Sequence, residues 1–329
     1  MKYHVFVTRE IPSEGIELLK KNKNIKLEVY EEDKKIPRNT LKKRVKGADI
    51  ILSILTENMD AEIMDAAGPQ LKMIANYAVG FNNIDLKEAE KRSIVVTNTP
   101  HEQISESVAE HTIGLMFALA KRIVETDKFT RAGKYKAWGP QLLLGTDLLG
   151  KTIGIVGTGN IGSGVVKRLH NGFDMKVVYN DVQKNKKLEK ETGAVYRSLA
   201  QLLKESDFVS LHVPLLPSTK HLIGMKELKL MKKTAFLINT SRGPVVDEKA
   251  LVKALVRGDI GGAGLDVYEC EPLIDCDPSD TLELKALPNV VLTPHTASAT
   301  LETRQAMSRI AAQNILAFVN GKKPPNTVK

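Results

Sequence analysis

The segment from Lys151 to Asp181, KTIGIVGTGNIGSGVVKRLHNGFDMKVVYND, constrains this chain more than any other. Thr152 to Val156 is a short apolar run of the kind that forms a strand buried on both faces. Gly157, Gly159 and Gly162 follow as G-x-G-x-x-G and open a helix with apolar positions at Ile161, Val165, Val166 and Leu169. In such a turn the first glycine permits the reversal, the second lets a pyrophosphate approach the backbone, and the third lets helix and strand pack closely. Asn160 and Ile161 stand at the helix N-terminus, where unpaired N–H groups and the positive dipole end suit phosphate. A second strand, Met175 to Asn180, ends at Asp181, 19 positions past Gly162. An acid about that far along accepts hydrogen bonds from adenosine ribose hydroxyls. Glycine-rich turns also occur without a ligand. Here strand, glycines, helix, second strand and acid stand in order, so a dinucleotide-binding unit is expected. Asp181 would repel a 2′-phosphate, and Val182 and Gln183 offer no Arg to hold one. The expected cofactor is NAD, with NADH preferred over NADPH.

At 329 residues the chain has room for two domains. Its net charge of +9 could suit nucleic acid, but the lysines alternate with acids, as in Glu28 to Lys35, and few aromatics lie among them. A solvated surface explains that charge, and no nucleic-acid partner is expected. No apolar run approaches the ~18 residues of a membrane span, and MKYHVFVTRE lacks a signal-peptide profile, so neither membrane nor export is expected. The two cysteines, Cys270 and Cys276, lie together in an acidic loop. That reads as a reducing cytoplasm without a disulfide framework, and as no metal site, since further ligands would be needed nearby.

Short apolar runs alternate with amphipathic segments along both halves. Strands are expected at Val5–Thr8, Ile25–Val29, Asp49–Leu52, Met73–Ala75 and Ile94–Val96, with helices at Ser13–Lys20, Thr40–Lys46, Asp60–Ala67 and Leu86–Lys91. After Asp181, strands are expected at Ala194–Tyr196, Phe208–His212, Ala235–Asn239, Ala263–Val267 and Val290–Leu292. The helices there are Leu199–Lys204, Lys226–Leu230, Asp247–Arg257 and Leu301–Val319. This alternation predicts an α/β protein of two doubly wound parallel sheets. A buried helix from Ser107 to Lys121, with Ser107 and Glu110 as a capping box, is expected to join the two. The weakly periodic Val124–Leu149, with Trp138 and Leu142 to Leu144, reads as an arm on a second subunit, hence a homodimer. In the first half two turns follow carboxyl ends of strands, Leu55 to Asn58 and Asn76 to Asp85, where ligands bind in open α/β sheets.

Three polar groups follow strand ends in the second half: Arg242 in INTSRGP, Glu271 in DVYECEP and His295 in LTPHTAS. Parallel strands place such ends on one edge. An Arg can hold a carboxylate or ketone oxygen through two N–H groups. A His beside a Glu is a proton donor working near neutrality, because the carboxylate stabilises the imidazolium. With a hydride carrier these suit reduction of a 2-oxo acid. Each also has an ordinary structural reading: Arg242 as a turn cap, Glu271 as the start of a loop before Pro272, His295 as a satisfied histidine. The residues alone leave both open. Among the other histidines, His4, His101, His170 and His221 show no comparable partner pattern. His111 lies inside the buried helix, and His212 starts a turn that suits lining a cofactor.

GTGNIG with Asp181, LINTSRGPVVDE, LDVYECEP, TPHTASAT, ANYAVGFNNID and TNTPHEQISESVAEHTIGLM resemble the D-isomer-specific 2-hydroxyacid dehydrogenases over essentially the whole chain. The first half is most similar to glyoxylate/hydroxypyruvate reductases. The resemblance implies Arg242 as substrate anchor, His295 as acid/base and Glu271 as its partner. It implies substrate contacts at Leu55 and at the backbone N–H groups of Val79 and Gly80. Thr240 and Asp266 would face the nicotinamide end, and His212, Val213 and Pro214 the adenine side. It implies a Rossmann cofactor domain at 102–296, a flavodoxin-like substrate domain at 1–101 plus 297–329, and a homodimer acting on a small 2-oxo or 2-hydroxy acid. Formate dehydrogenases carry Gln where Glu271 stands. The loop Ser53–Asn58 has no Arg or Lys for a phosphate, which disfavours phosphohydroxypyruvate and a phosphoglycerate dehydrogenase-like activity. A dinucleotide-sensing regulator of corepressor type remains the alternative from another class.

Overall fold

The computed structural model describes residues 2–271 and 283–328. The chain divides into two compact units, one formed by 1–104 with 299–329, the other by 105–298.

In the first unit five strands, β1 (Tyr3–Val7), β2 (Ile25–Val29), β3 (Ile50–Ser53), β4 (Met73–Asn76) and β5 (Val95–Thr97), lie parallel in the order β2-β1-β3-β4-β5. The order reverses between β1 and β3, the flavodoxin-like arrangement. Every residue of β3 and β4 is buried, as a strand covered on both faces requires. Helices α1 (Ser13–Lys20), α2 (Arg38–Arg44), α3 (Ala61–Ala67) and α4 (Leu86–Lys91) connect them. The Asp60 and Asp85 side chains accept from the N–H groups of Ile63 and Glu88 and so start α3 and α4.

In the second unit seven strands run parallel in the order β12-β11-β10-β9-β6-β7-β8. They are β6 (Thr152–Val156), β7 (Lys176–Asn180), β8 (Val195–Tyr196), β9 (Phe208–Leu211), β10 (Phe236–Asn239), β11 (Gly262–Leu265) and β12 (Val290–Leu292). Read from β8, this is the dinucleotide-fold order with one further strand, reversing between β6 and β9. The helices are α5 (Glu102–Ala120, entering from the first unit), α6 (Ile123–Arg131), α7 (Asn160–Phe173), α8 (Lys186–Thr192), α9 (Leu199–Glu205), α10 (Met225–Leu228) and α11 (Glu248–Arg257). Period-two alternation divides the core. Ile153, Ile155, Val177, Tyr179, Phe208 and Ile238 face one side with Leu115, Met116, Val165 and Val166. Val156, Val178, Val209, Leu211 and Leu237 face the other with Leu251 and Leu255. Each fully buried Val, Leu or Ile contributes about 1.5–3 kcal/mol.

The last helix, α12 (Leu301–Val319), belongs to the first unit, where the Gly15 N–H donates to Ser308 Oγ at 3.0 Å.

Three expectations need correction. The buried helix begins at Glu102, not at a capping box on Ser107. His101 Nδ1 accepts from the Gln103 N–H at 3.2 Å, and Ser107 lies inside the helix with its hydroxyl on the Ala297 carbonyl. Helix α8, absent from the reading of the sequence, is too charged to show an apolar stripe; Asn185 caps its start and Gly193 its end. Cys270 is disulfide-bonded, against the expectation of no disulfide; Cys276, six positions on, lies outside the described residues. That expectation rested on compartment chemistry alone.

Candidate active site

The glycine turn has the geometry its residues predict. Gly157 sits at φ +94°, where a Cβ would also lie 2.5 Å from the His212 carbonyl oxygen. A Cβ on Gly162 would lie 2.0 Å from the Gly157 carbonyl oxygen, so helix α7 can pack on the turn only with glycine there. At Gly159 nothing lies within 4 Å of the Cβ position. Asn160 is exposed and Ile161 half-buried. Helix α7 has no side-chain cap and no acid in its first turn, whereas α8, α9 and α11 are capped by Asn185, Ser198 and Asp247. Open space and unclaimed N–H donors at one helix start are what a pyrophosphate needs, and the residues present fit that group.

Asp181 is tied to the same turn. Its Oδ2 accepts from Thr158 N (2.7 Å) and Thr158 Oγ1 (2.8 Å), and its Oδ1 from Val182 N (2.7 Å). Burial pushes its pKa up, but these bonds and the Gln183 N–H outweigh it and hold the pKa below the usual value. The carboxylate is therefore a fixed negative charge.

His212 follows β9 with Nε2 on Ser210 Oγ at 2.8 Å. Burial lowers its pKa to about 4, so it is neutral at pH 7 and cannot serve there as a proton donor. Its neighbour Val213 is half-buried and Pro214 exposed.

The loops after β10, β11 and β12 meet. Glu271 Oε2 lies 2.8 Å from His295 Nδ1, and Glu271 Oε1 accepts from the Tyr268 N–H at 3.0 Å. Burial raises the Glu271 pKa, yet the His295 bond and charge, the Tyr268 N–H and Arg242 together bring it below the ordinary carboxylate value. Arg242 is driven down by burial and pulled up by the Glu271 charge; guanidinium remains protonated throughout. A Cβ on Gly243 would lie 1.8 Å from the Tyr268 carbonyl oxygen, so the Arg242 turn packs directly on the backbone leading to Glu271.

His295 adopts φ +54°, a left-handed conformation uncommon outside glycine. Asp266, fully buried, holds it there. The Asp266 carbonyl accepts from the His295 N–H at 2.9 Å. Its Oδ1 accepts from Thr293 Oγ1 (2.6 Å) and Thr296 N (2.8 Å), and its Oδ2 from Ala297 N (2.9 Å). Thr240 Oγ1 is 2.9 Å from Thr112 Oγ1.

In the first unit Leu55 and Val79 are exposed at the ends of β3 and β4. Asn98 Nδ2 donates to the Val79 carbonyl (2.8 Å) and Asn76 Nδ2 to that of Gly80 (2.9 Å). Because a trans peptide sets N–H opposite C=O, fixing the Val79 carbonyl also fixes where the Gly80 N–H points.

A family model described as D-isomer specific 2-hydroxyacid dehydrogenase, NAD binding domain, matches residues 113–297. The chain belongs to the D-isomer-specific 2-hydroxyacid dehydrogenases. It is an oxidoreductase that uses a nicotinamide dinucleotide. Glyoxylate reductase of Korarchaeum cryptofilum is 49% identical over 329 residues, which is 100% of this chain and 96% of that protein. The crystal structure of a protein from Thermus thermophilus is 43% identical, with TM-score 0.91 over 99% of this chain and 100% of that one. An NADPH-dependent glyoxylate/hydroxypyruvate reductase from Sinorhizobium meliloti, solved with citrate, is 30% identical with TM-score 0.82, covering 99% and 98% of the two chains.

Other histidines of the dehydrogenase also have carboxylate neighbours that the sequence did not signal: His221 with Glu269 at 2.6 Å, His4 with Glu28 at 3.0 Å and His111 with Asp266 at 3.6 Å. A partner alone therefore does not single out His295. His221 shares the positive φ as well, at +51°. What does single out His295 is its place beyond β12, on the sheet edge shared with Arg242. Among the described residues no group of three or more His, Cys, Asp or Glu gathers as for a metal ion.

Proposed function

We propose that this dehydrogenase reduces a small 2-oxo acid, glyoxylate or hydroxypyruvate, to the D-2-hydroxy acid with NADH. The 2.8 Å contact between Glu271 and His295, with Arg242 acting on the same carboxylate, carries the reading. Bound nicotinamide supplies the hydride. Glu271 takes the Nδ1 proton of His295 as its hydrogen bond, fixing the ring and leaving Nε2 to give a proton to the carbonyl oxygen. Arg242 polarises that oxygen and anchors the carboxylate; in the first unit the N–H groups of Val79 and Gly80, with Leu55, serve substrate binding. Such fixed donors stabilise the charge that develops on oxygen without reorganising.

The residues 102–296 serve as cofactor domain and 1–101 with 297–329 as substrate domain. Gly157, Gly159, Asn160, Ile161 and Gly162 hold the pyrophosphate; Asp181 holds the adenosine ribose; His212, Val213 and Pro214 line the adenine side. Thr240 stands at the nicotinamide end, and Asp266 reaches it through the loop it anchors. The fixed charge of Asp181 supports NADH over NADPH. Exposed Trp138 (79%) and Leu144 (63%), beyond a helix α6 with no buried residue, support a homodimer.

The test is NADH oxidation on glyoxylate, hydroxypyruvate, pyruvate and phosphohydroxypyruvate. Turnover is expected on the first two above the others. No turnover on any 2-oxo acid would remove the reading and leave a cofactor-sensing role. Sedimentation at micromolar concentration should give a dimer; a fully active monomer would refute that part.

A further inference from the structure

Among the polar side chains of helix α5, Ser107, His111 and Thr112 lie where the helix is otherwise rich in buried apolar residues. Spaced i, i+4 and i+5, they fall on one side of the helix. Each meets a loop that bears a group of the proposed reaction. Ser107 Oγ donates to the Ala297 carbonyl at 3.1 Å, just past His295. Thr112 Oγ1 lies 2.9 Å from Thr240 Oγ1, just before Arg242. His111 Nε2 lies 3.0 Å from Thr293 Oγ1.

The last contact has a direction. Thr293 Oγ1 donates its one proton to Asp266 Oδ1 at 2.6 Å. The hydroxyl is then left to accept, and His111 must present Nε2–H. A chain of bonds results, from His111 through Thr293 to Asp266, whose two oxygens receive the N–H groups of Thr296 and Ala297. His111 Nε2 also lies 3.6 Å from Asp266 Oδ1.

We infer that His111 is a positioning residue for proton transfer. Acting through Thr293 and Asp266, it fixes the backbone on which His295 is held at positive φ. It does not touch the reacting atoms. The inference rests on the function proposed above, but its structural part can be measured without turnover.

The His111→Phe variant removes the Nε2–H donor, and His111→Gln offers an amide N–H in its place. In the apoprotein, amide hydrogen exchange at Thr296 and Ala297 should speed up in His111→Phe and return toward normal in His111→Gln. In glyoxylate reduction, kcat should fall roughly 10- to 100-fold in His111→Phe, the scale of loss for a misplaced catalytic group. NADH affinity, read by fluorescence titration, should stay unchanged, and His111→Gln should recover most of the rate. Thr293→Val cuts the same link, so combining it with His111→Phe should cost no more than Thr293→Val alone. It also carries the test should His111→Phe not fold. Unchanged exchange with unchanged kcat would overturn the inference, as would fully additive losses or an equal fall in NADH affinity. An unmodified enzyme without activity on any 2-oxo acid would instead overturn the functional reading, and the exchange result would still decide the positioning role.

Discussion

Replacing Asp266 with Asn keeps the shape of a fully buried side chain and changes only what its two end atoms can do. The carboxylate receives three bonds of 2.6–2.9 Å, two on Oδ1 and one on Oδ2. An amide has one accepting end. Its better orientation keeps oxygen toward Thr293 and Thr296 and turns NH₂ against the Ala297 N–H, donor facing donor. That orientation loses one charge-assisted bond, about 1.5–3 kcal/mol, and leaves one buried N–H unpaired, about 1–3 kcal/mol. A loss of about 2.5–6 kcal/mol is expected from these two contributions together. For a unit of this size 3 kcal/mol lowers Tm by roughly 6–12 °C. Differential scanning calorimetry should show the fall, and because Thr296 and Ala297 adjoin His295, kcat should fall as well. An Asn variant melting within about 1 °C of the parent, with kcat intact, would refute the account of what holds this loop.

In His295→Ala, kcat for reduction should drop roughly 10²- to 10⁴-fold, the usual scale for general acid catalysis, while NADH binding by fluorescence stays the same; near-normal reduction would place the proton donor elsewhere. Asp181→Ala should narrow the preference for NADH in kcat/KM and favour NADPH relative to the parent; a parent using both equally would remove that role. The lowered pKa of Glu271 keeps its charge as pH falls through the ordinary carboxylate range, so the folding stability tied to that carboxylate should be present above that range and be lost in urea titrations only at lower pH. Glu271→Gln removes that charge, and the pH at which reduction fails should move downward in a kcat–pH profile; an unmoved profile would show that Glu271 does not act on His295.

What was legible in the sequence was local or periodic. The glycines, Asp181 and the strand-ending motifs lie within short windows, and β–α alternation is read over a few residues at a time, so both sheets and the turn were expected. Helix α8 was missed because Lys186, Lys187, Glu189, Lys190 and Glu191 hide its face, although Asn185 and Gly193 mark both ends. The start of α5 was misplaced because S-x-x-E at Ser107 imitates a cap. Only the fold shows that Ser107 faces the Ala297 carbonyl, 190 positions away. The His221–Glu269 and His111–Thr293 contacts, 48 and 182 positions apart, were invisible for the same reason. Such pairs are set by which strand ends become neighbours.

Helix α5 runs unbroken from Glu102 to Ala120 while the boundary between the compact units falls between residues 104 and 105. Anyone dividing the polypeptide to study the nucleotide unit alone cannot cut at that boundary without beheading a helix. A fragment starting at Ser105 would lose the first turn, together with the His101–Gln103 bond that starts the helix. Ser107 would then sit in a fraying end, where helices lose their order first. A fragment retaining His101 keeps the whole first turn, so the sensible cleavage point lies in the stretch without regular secondary structure before it, at Asn98 to Pro100.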